Sequence, residues 1–538
     1  MRDNALVSSL QRDAMRRQVL IKSGEYYDSI TLLQVSTALA KTDGVRNAAV
    51  VMATAANKEL LADAGLLTDE AQKADASDLL IAIAADDDTA LRSAFGLAES
   101  LLKDSRAGRD TIGLERERPR SVAASIAQMP DANLAMISVG GPYAAAVAYD
   151  ALARGLHVFI FSDNVSLEDE IKLKTFAAKR GLFVMGPDAG TAVINGASLG
   201  FANSVARGEV GIVAASGTGL QSVMSALSQM GAGVSQAIGV GGRDVSDAVG
   251  GVMMLQAIAA LQEDAATKVI AVVSKPPCDE VREKIVKQLA RHSKPTVVCF
   301  LGSDEPSRPA SSPLHASDLE ETAYLVAALL KSEPPYLAID ALAERDSRLK
   351  LKSAELRQKL NPSQKYFRGL FCGGSFCYET QMLLQRAAGV GAVYSNAPLD
   401  KQFGLHDIKL SQKHTALDLG DDRFTAGRLH PMIDSTIRNL RILQEARGAD
   451  VGVIYLDFVL GFGVDDNPVG SAQQAIIEAQ RIAATAGREV IFLASVCGTD
   501  TDPQGLQRQE ESLKQLGVTV LPSNAAAAKV AGWILCQR

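Results

Sequence analysis

Residues 211–219 read Gly-Ile-Val-Ala-Ala-Ser-Gly-Thr-Gly, an apolar run that fits a buried strand followed by four residues with almost no side-chain bulk. Leu220, Val223, Met224 and Leu227 come next at helical spacing. A strand that passes through Ser216, Gly217, Thr218 and Gly219 into a helix aims several first-turn amides at one spot, and a helix cannot satisfy those amides itself. Helix starts also carry about half a positive charge. The chemistry this suits is anion binding, with small residues letting a phosphate or carboxylate approach the main chain. The same pattern serves equally well as a tight turn that merely packs. It is not a Walker loop, because no G-K-[ST] closes it and no lysine lies in the turn. Cys372, Gly373, Gly374 and Ser375 repeat the construction. Two such helix starts facing one another would hold a phosphoryl group from both sides.

Other residues could act on such a guest. Arg243 follows glycines at an expected strand end, where open sheets bind ligands. It reads either as a clamp for carboxylate or phosphate or as an ion-pair partner of Asp244 or Asp247. His430, among Arg428, Pro431 and Asp434, reads as a general acid/base or as a loop histidine. Arg428 carries the same two readings as Arg243. Lys275, at a strand end near the first turn, reads as a substrate contact or as a solvated lysine. Asp163 and Asn164 end a strand and either shape a turn or touch substrate. Asp421 and Asp422 are a paired acid best explained as a helix cap. His157, His292, His315, His406 and His414 show no pairing pattern. Cys278 and Cys497 have nothing beside them that would activate a thiol, and no cysteine spacing suggests a metal site.

The elements that must position these residues alternate along the chain. Apolar runs occur at 48–53, 79–84, 134–139, 157–161, 181–186, 211–215, 269–274, 296–301, 368–374, 451–458, 489–495 and 518–523. Helical stretches long enough for crossovers separate most of them, which predicts parallel α/β sheets covered on both faces. Seams at 104–121, 302–318 and 331–365 divide the chain. The expected fold is multidomain α/β. A small N-terminal α/β domain covers 1–110 and a Rossmann-like, CoA-binding-type domain 117–205. A flavodoxin-like doubly wound domain covers 206–330, a helical linker 331–364, and a second flavodoxin-like domain 365–538. Residues 1–20 read as a short exposed helix or arm.

The chain has 538 residues, 47% of them hydrophobic and 22% charged, as in ordinary globular proteins. A net charge of −7 argues against a nucleic-acid surface as its main purpose. Six irregularly spaced cysteines make no disulfide framework and fit a reducing cytosol. No apolar run reaches the roughly 20 residues of a membrane span, and the first 20 residues lack a signal-peptide core.

Residues 185–221 resemble the alpha-subunit core of the succinyl-CoA synthetase superfamily, where a Gly-Pro turn precedes a Ser-Gly-Thr helix start. Residues 417–434, 456–463 and 496–503 resemble that superfamily's beta-subunit carboxy-terminal domain, fused here to the same chain. The phrases at 161–174, 239–251 and 420–434 are similar to the FdrA family of acyl-CoA synthetase-related proteins, a likeness running from about residue 18 to 530. The resemblance implies that Ser216, Gly217, Thr218 and Gly219 match the alpha helix start, and Gly373, Gly374 and Ser375 the beta one by position. In the superfamily these starts cradle a phosphohistidine. Here the loop that should carry the histidine reads 274–288 without one. The ATP-grasp domain is missing, and the turn cysteine is Ala189. The glycine loop for CoA is not found, its nearest candidate being 138–145. No phosphohistidine relay can therefore run through this chain. What the resemblance leaves is phosphate, acyl phosphate or carbamoyl phosphate as substrate. FdrA-type proteins are associated with allantoin breakdown, which implies an oxamate carbamoyltransferase-type phosphorolysis of oxalurate to oxamate and carbamoyl phosphate. The alternatives are an acyl-CoA synthetase subunit whose ATP and CoA sites come from another chain, and a non-catalytic anion-binding scaffold. The expected partners are a small anionic substrate, further enzyme subunits and a second copy of the chain, with neither nucleic acid nor membrane.

Overall fold

The computed structural model describes residues 16–25, 27, 29–110, 119–291, 293–303, 313–387, 390–425 and 428–536. It divides into two units, one of residues 1–118 with 422–429, the other of 119–421 with 430–538.

In the first unit, β1 (Arg16–Lys22), β2 (Val45–Met52) and β3 (Leu79–Ala85) form a sheet of order β1-β3-β2, antiparallel throughout. The apolar run Leu-Leu-Ile-Ala-Ile-Ala-Ala places β3 in the centre, and all seven of its residues are buried. Helices α1 (Ser29–Ala40) and α2 (Asp88–Asp110) cover one face, where Leu39, Ala94, Ala98 and Leu102 pack on Ile81 and Ile83. Leu61, Leu66 and Ala71 cover the other, over Leu80 and Ala82. Of the stretch expected to form an arm, residues 1–15 lie outside the described residues. Residues 16–20 belong to β1, whose Val19, Leu20 and Ile21 supply strand propensity and pair with Ala82, Ile81 and Leu80.

The second unit holds three sheets. The first is parallel, with β4 (Leu134–Ile137), β5 (His157–Ile160) and β6 (Val184–Met185) in that order and helices α3 (Gly141–Ala153) and α4 (Leu167–Ala178) between them. The second contains β7 (Thr191–Ile194), β8 (Ala197–Gly200), β9 (Arg207–Ala215), β10 (Val234–Gly239), β11 (Val269–Ser274), β12 (Thr296–Phe300) and β13 (Leu314–His315). Its order is β13-β12-β11-β9-β10-β7-β8. The five parallel strands β9 to β13 have the flavodoxin-like order, whose switch point lies between β9 and β11. β7 and β8 form an antiparallel hairpin on its edge. Residues 191–200 thus belong to this sheet, and the boundary expected at 205 falls before β7. The hairpin turn is Asn195-Gly196, both at positive φ (51° and 84°), the pairing that suits a two-residue turn between twisted strands.

The third sheet contains β14 (Tyr366–Phe371), β15 (Val393–Ser395), β16 (His414–Asp418), β17 (Val451–Val459), β18 (Ile491–Cys497) and β19 (Thr519–Leu521). Its order is β15-β16-β14-β17-β18-β19, parallel throughout. The expected α/β architecture with two doubly wound parallel sheets is what the chain adopts. Helices α5 (Gly217–Gln229), α6 (Val252–Glu263), α7 (Leu319–Leu330), α8 (Pro335–Arg357), α9 (Gly374–Ala387), α10 (Thr436–Ala446) and α11 (Asn524–Leu535) complete the parts used below. One apolar core joins the second and third sheets, with Leu220, Val223 and Leu227 of α5 in the same cluster as Phe371, Phe376, Cys377 and Tyr455. That shared core brings α5 and α9 together.

Candidate functional site

Ser216 leaves β9 in extended conformation and caps α5, its Oγ accepting from the Gly219 amide at 2.9 Å. Ser375 is the second residue of α9, which follows β14 through Cys372 and Gly373. The two hydroxyls meet, with Ser216 Oγ 2.5 Å from Ser375 Oγ. Thr218 closes the contact from the side, because a Cβ on Gly373 would lie 2.7 Å from its Cγ2. Gly373 is therefore required where the two turns touch. Gly217 is different, since a Cβ there would find its nearest neighbour at 3.7 Å, an ordinary contact. The two helix starts proposed from sequence thus face one another. Their hydroxyls hydrogen-bond directly, so a guest held by both starts must part them.

Not every expected amide is free for a guest. Gly219 N–H is used by the Ser216 cap. Cys372 N–H and Gly373 N–H donate to the two carboxylate oxygens of Asp457, at 2.7 and 2.9 Å. Asp457 projects from β17 and is fully buried, with Arg438 beside it: Arg438 Nη1 donates to its carbonyl at 2.7 Å and to Cys372 Sγ at 2.9 Å. An internal carboxylate thus occupies the exit of β14, and among the described residues the first-turn amides of Gly217, Thr218, Gly374 and Ser375 lie beyond the reach of the helices' own bonds.

Lys275 stands at the exit of β11, the strand paired with β9 so that Ser274 aligns with Ala215. Its Nζ lies 5.6 Å from the centre of the Tyr378 ring on α9. It therefore stands beside α9. His430 also borders the region, since a Cβ on Gly420 would lie 2.6 Å from its Nε2 and 3.1 Å from the Cys372 carbonyl. Its Nδ1 accepts from Met432 N–H at 3.2 Å, which leaves the proton on Nε2. Burial holds the imidazole down at about 4. The acid/base role expected of His430 therefore needs correction: at neutral pH it offers an N–H donor and no free acceptor. A proton NMR titration of its ring resonances should show a midpoint near 4. Because the folded value lies below the ordinary 6.5, His430 stabilises the fold fully above pH 6.5, and that contribution is lost as pH falls through 4.

Arg243 is spent elsewhere. Its Nε pairs with Glu170 at 2.8 Å and its Nη2 donates to the Val165 carbonyl at 2.8 Å. Neither acid weighed from sequence is that partner. Asp244 instead caps α6, accepting from the Met253 and Met254 amides, and receives Lys174 Nζ at 2.8 Å. Arg428 and Asp422 belong to the other unit. There Asp422 opens a four-residue helix to Thr425 directly after Asp421, and the Arg428 amide donates to the Thr425 carbonyl. Asp163 and Asn164 follow β5, and their carbonyls press on the start of α3 so closely that a Cβ on Gly141 would overlap both. Asn164 takes positive φ (53°). These facts fit the turn-shaping reading.

Sequence reasoning missed Asp418, Asp457 and Arg438. The Asp457 signal was present as a single carboxylate within the buried run 451–459, which must find partners.

Comparison with known proteins follows the same lines. The chain is 43% identical over 523 residues to the uncharacterized protein YahF of Escherichia coli (strain K12), covering 97% of this chain and 99% of that one. The chain belongs to the FdrA family. A CoA-ligase family model matches residues 370–534, a CoA binding domain model residues 206–302, and a model described as AllF, heavy metal-associated domain, residues 15–119. The CoA binding model thus falls on the second sheet, whereas the sequence reading placed a CoA-binding-type fold at 117–205. The succinate–CoA ligase [ADP-forming] subunit alpha of Methanothermobacter thermautotrophicus is 25% identical over 179 residues, 33% of this chain and 59% of that one. An acetyl-coenzyme A synthetase from Ca. Korarchaeum cryptofilum is similar at 16% identity and a TM-score of 0.29, covering 75% of this chain and 82% of that one. Residues 15–119 hold neither cysteine nor histidine, and no group of acidic, histidine or cysteine residues fit for a metal occurs among the described residues. The donor set does not suit a heavy metal. Among the described residues no helix is long and apolar enough to cross a membrane.

Proposed function

We propose that the chain is an acyl-CoA synthetase-type subunit that holds the phosphoryl end of an acyl phosphate between the starts of α5 and α9. The observation that carries this is the contact of Ser216 and Ser375, which puts two helix starts on one point. Two positive helix ends and four first-turn amides favour a dianion and stabilise charge that develops as an acyl phosphate breaks. Lys275 adds a cation at the switch point. The CoA-ligase and CoA binding domain models support the acyl reading, since they cover both turns and the helix starts after them. The loop after β11 carries Lys275-Pro276-Pro277-Cys278 and no histidine, so phosphate is handled as a substrate or product and nucleotide chemistry is left to a partner chain. Carbamoyl transfer from oxalurate has no separate support among these observations.

The test is a melting and turnover series on the chain purified with its native partners. CoA with acetyl phosphate should raise the melting temperature beyond either alone and yield acetyl-CoA and phosphate. Release of carbamoyl phosphate from oxalurate and phosphate, with no effect of CoA, would replace this reading by the carbamoyl one. Anion binding without turnover in any mixture would leave a scaffold.

A further inference from the structure

Asp418 enters the same region, and no motif pointed to it. It ends β16, in register with Phe371 at the end of β14. Its main chain is held from both sides by Asn396, whose Oδ1 accepts from Asp418 N–H at 2.9 Å and whose Nδ2 donates to the Asp418 carbonyl at 2.8 Å. Oδ1 of the carboxyl group accepts from Gly420 N–H at 3.1 Å. Oδ2 lies against the first residue of α9, where a Cβ on Gly374 would sit 2.5 Å from it. The carboxyl group therefore stands at the helix start whose next residue is Ser375. Lys275 faces it from β11, Asp421 from its own loop, Asp457 from β17 and neutral His430 from the far side of Gly420. Burial is the largest influence and pushes the Asp418 acid up to about 6. Asp421 and Asp457 push the same way, against Lys275 and the Gly420 amide. Like charges a few ångströms apart near a protein surface repel by about 4 kcal/mol, so an ionised Asp418 weakens the binding of a dianion at this helix start.

We propose that Asp418 couples proton uptake to anion binding, so that the site accepts a doubly charged guest together with one proton on this carboxyl group. The proposal rests on the anion reading of the Ser216–Ser375 site and names the residue that sets the charge state of its occupant.

Sulfate is the probe, because it stays doubly charged across the range used. Calorimetric titration of the full chain from pH 5 to 8 should show affinity constant below about pH 6, then falling about tenfold per pH unit above it. Titrations at pH 7.5 in two buffers of different ionisation heat should show one proton taken up per sulfate. Asp418→Asn should bind with the acid-limit affinity at every pH and take up no proton, and Asp418→Glu should regain the slope. Wild-type binding without a slope, or a slope that persists in Asp418→Asn, overturns the role of Asp418 and leaves the anion site standing. No sulfate binding by either protein at any pH overturns the anion site and this proposal with it.

Discussion

Ser216→Asp is expected to fold normally and to lose anion binding and turnover together. Aspartate is as good a helix cap as serine, so the Gly219 amide keeps its acceptor and α5 keeps its start. Ser375 O–H can donate to the new carboxylate where it now meets a hydroxyl at 2.5 Å. The substitution therefore installs a permanent anion at the point where the two helix starts converge. Repulsion of about 4 kcal/mol per unit charge at 4 Å acts on both charges of sulfate, so its affinity should fall by at least about a thousandfold. Ser216→Ala is the control: it removes the cap, costs about 1 kcal/mol of stability and leaves the amides of Gly217 and Thr218 in place. Gly217→Glu should resemble Ser216→Asp, because its Cβ is accommodated and its carboxylate reaches the same helix start. The measurements are sulfate calorimetry and thermal melting on all three variants. Ser216→Asp that melts like wild type and binds sulfate as tightly would refute the anion assignment at its root.

What the sequence revealed of this site and what it concealed differ in physical kind. The two strand–turn–helix exits were legible because small residues after an apolar run have few other uses. Their meeting was inferable only from resemblance, since no local pattern says that α5 and α9 share a core through Phe376 and Leu220. Every apolar run expected to be a strand contains one. Among the strands outside those runs, β10 (Val-Ser-Gln-Ala-Ile-Gly) and β16 (His-Thr-Ala-Leu-Asp) mix polar residues into short segments. Their polar groups find partners outside the strand pairing: Ser235 Oγ meets Thr267 Oγ1 at 2.6 Å, and Thr415 Oγ1 donates to the nearby Gln412 carbonyl at 2.8 Å. β16 carries no apolar run, so nothing local marks Asp418 at its end, whereas the paired Asp421 and Asp422 stand out three residues on. The ion-pair reading of Arg243 fits the structure, but with a different acid. Its partner Glu170 is 73 residues away on α4, beyond any local rule, while Asp244 and Asp247 stood next to it.

The network that captures Arg243 predicts the largest effect on stability. Lys174 lies on α4 with its Nζ at 2.8 Å from Glu170 Oε1, 2.8 Å from Asp244 Oδ1 and 2.9 Å from the Val240 carbonyl. All three side chains are fully buried. This ammonium joins the helix that covers the first sheet to the loop after β10, and with Arg243 it balances two carboxylates that cannot reach water. Lys174→Met keeps the length and apolar stem but leaves Asp244 without a cation and Glu170 with Arg243 alone. Removing one partner of a buried ionic cluster costs about 3–5 kcal/mol, so the unit should melt roughly 5–10 °C lower. Because the cluster is buried, raising the salt to 1 M should not restore the loss, whereas an exposed pair would already be screened. Arg243→Gln removes the half-exposed member and should cost about 1 kcal/mol at most, with sulfate affinity unchanged. A Lys174→Met protein within 2 °C of wild type would mean that water reaches these carboxylates. An Arg243→Gln protein that lost sulfate binding would return Arg243 to the anion site, which its pairing with Glu170 and Val165 argues it has left.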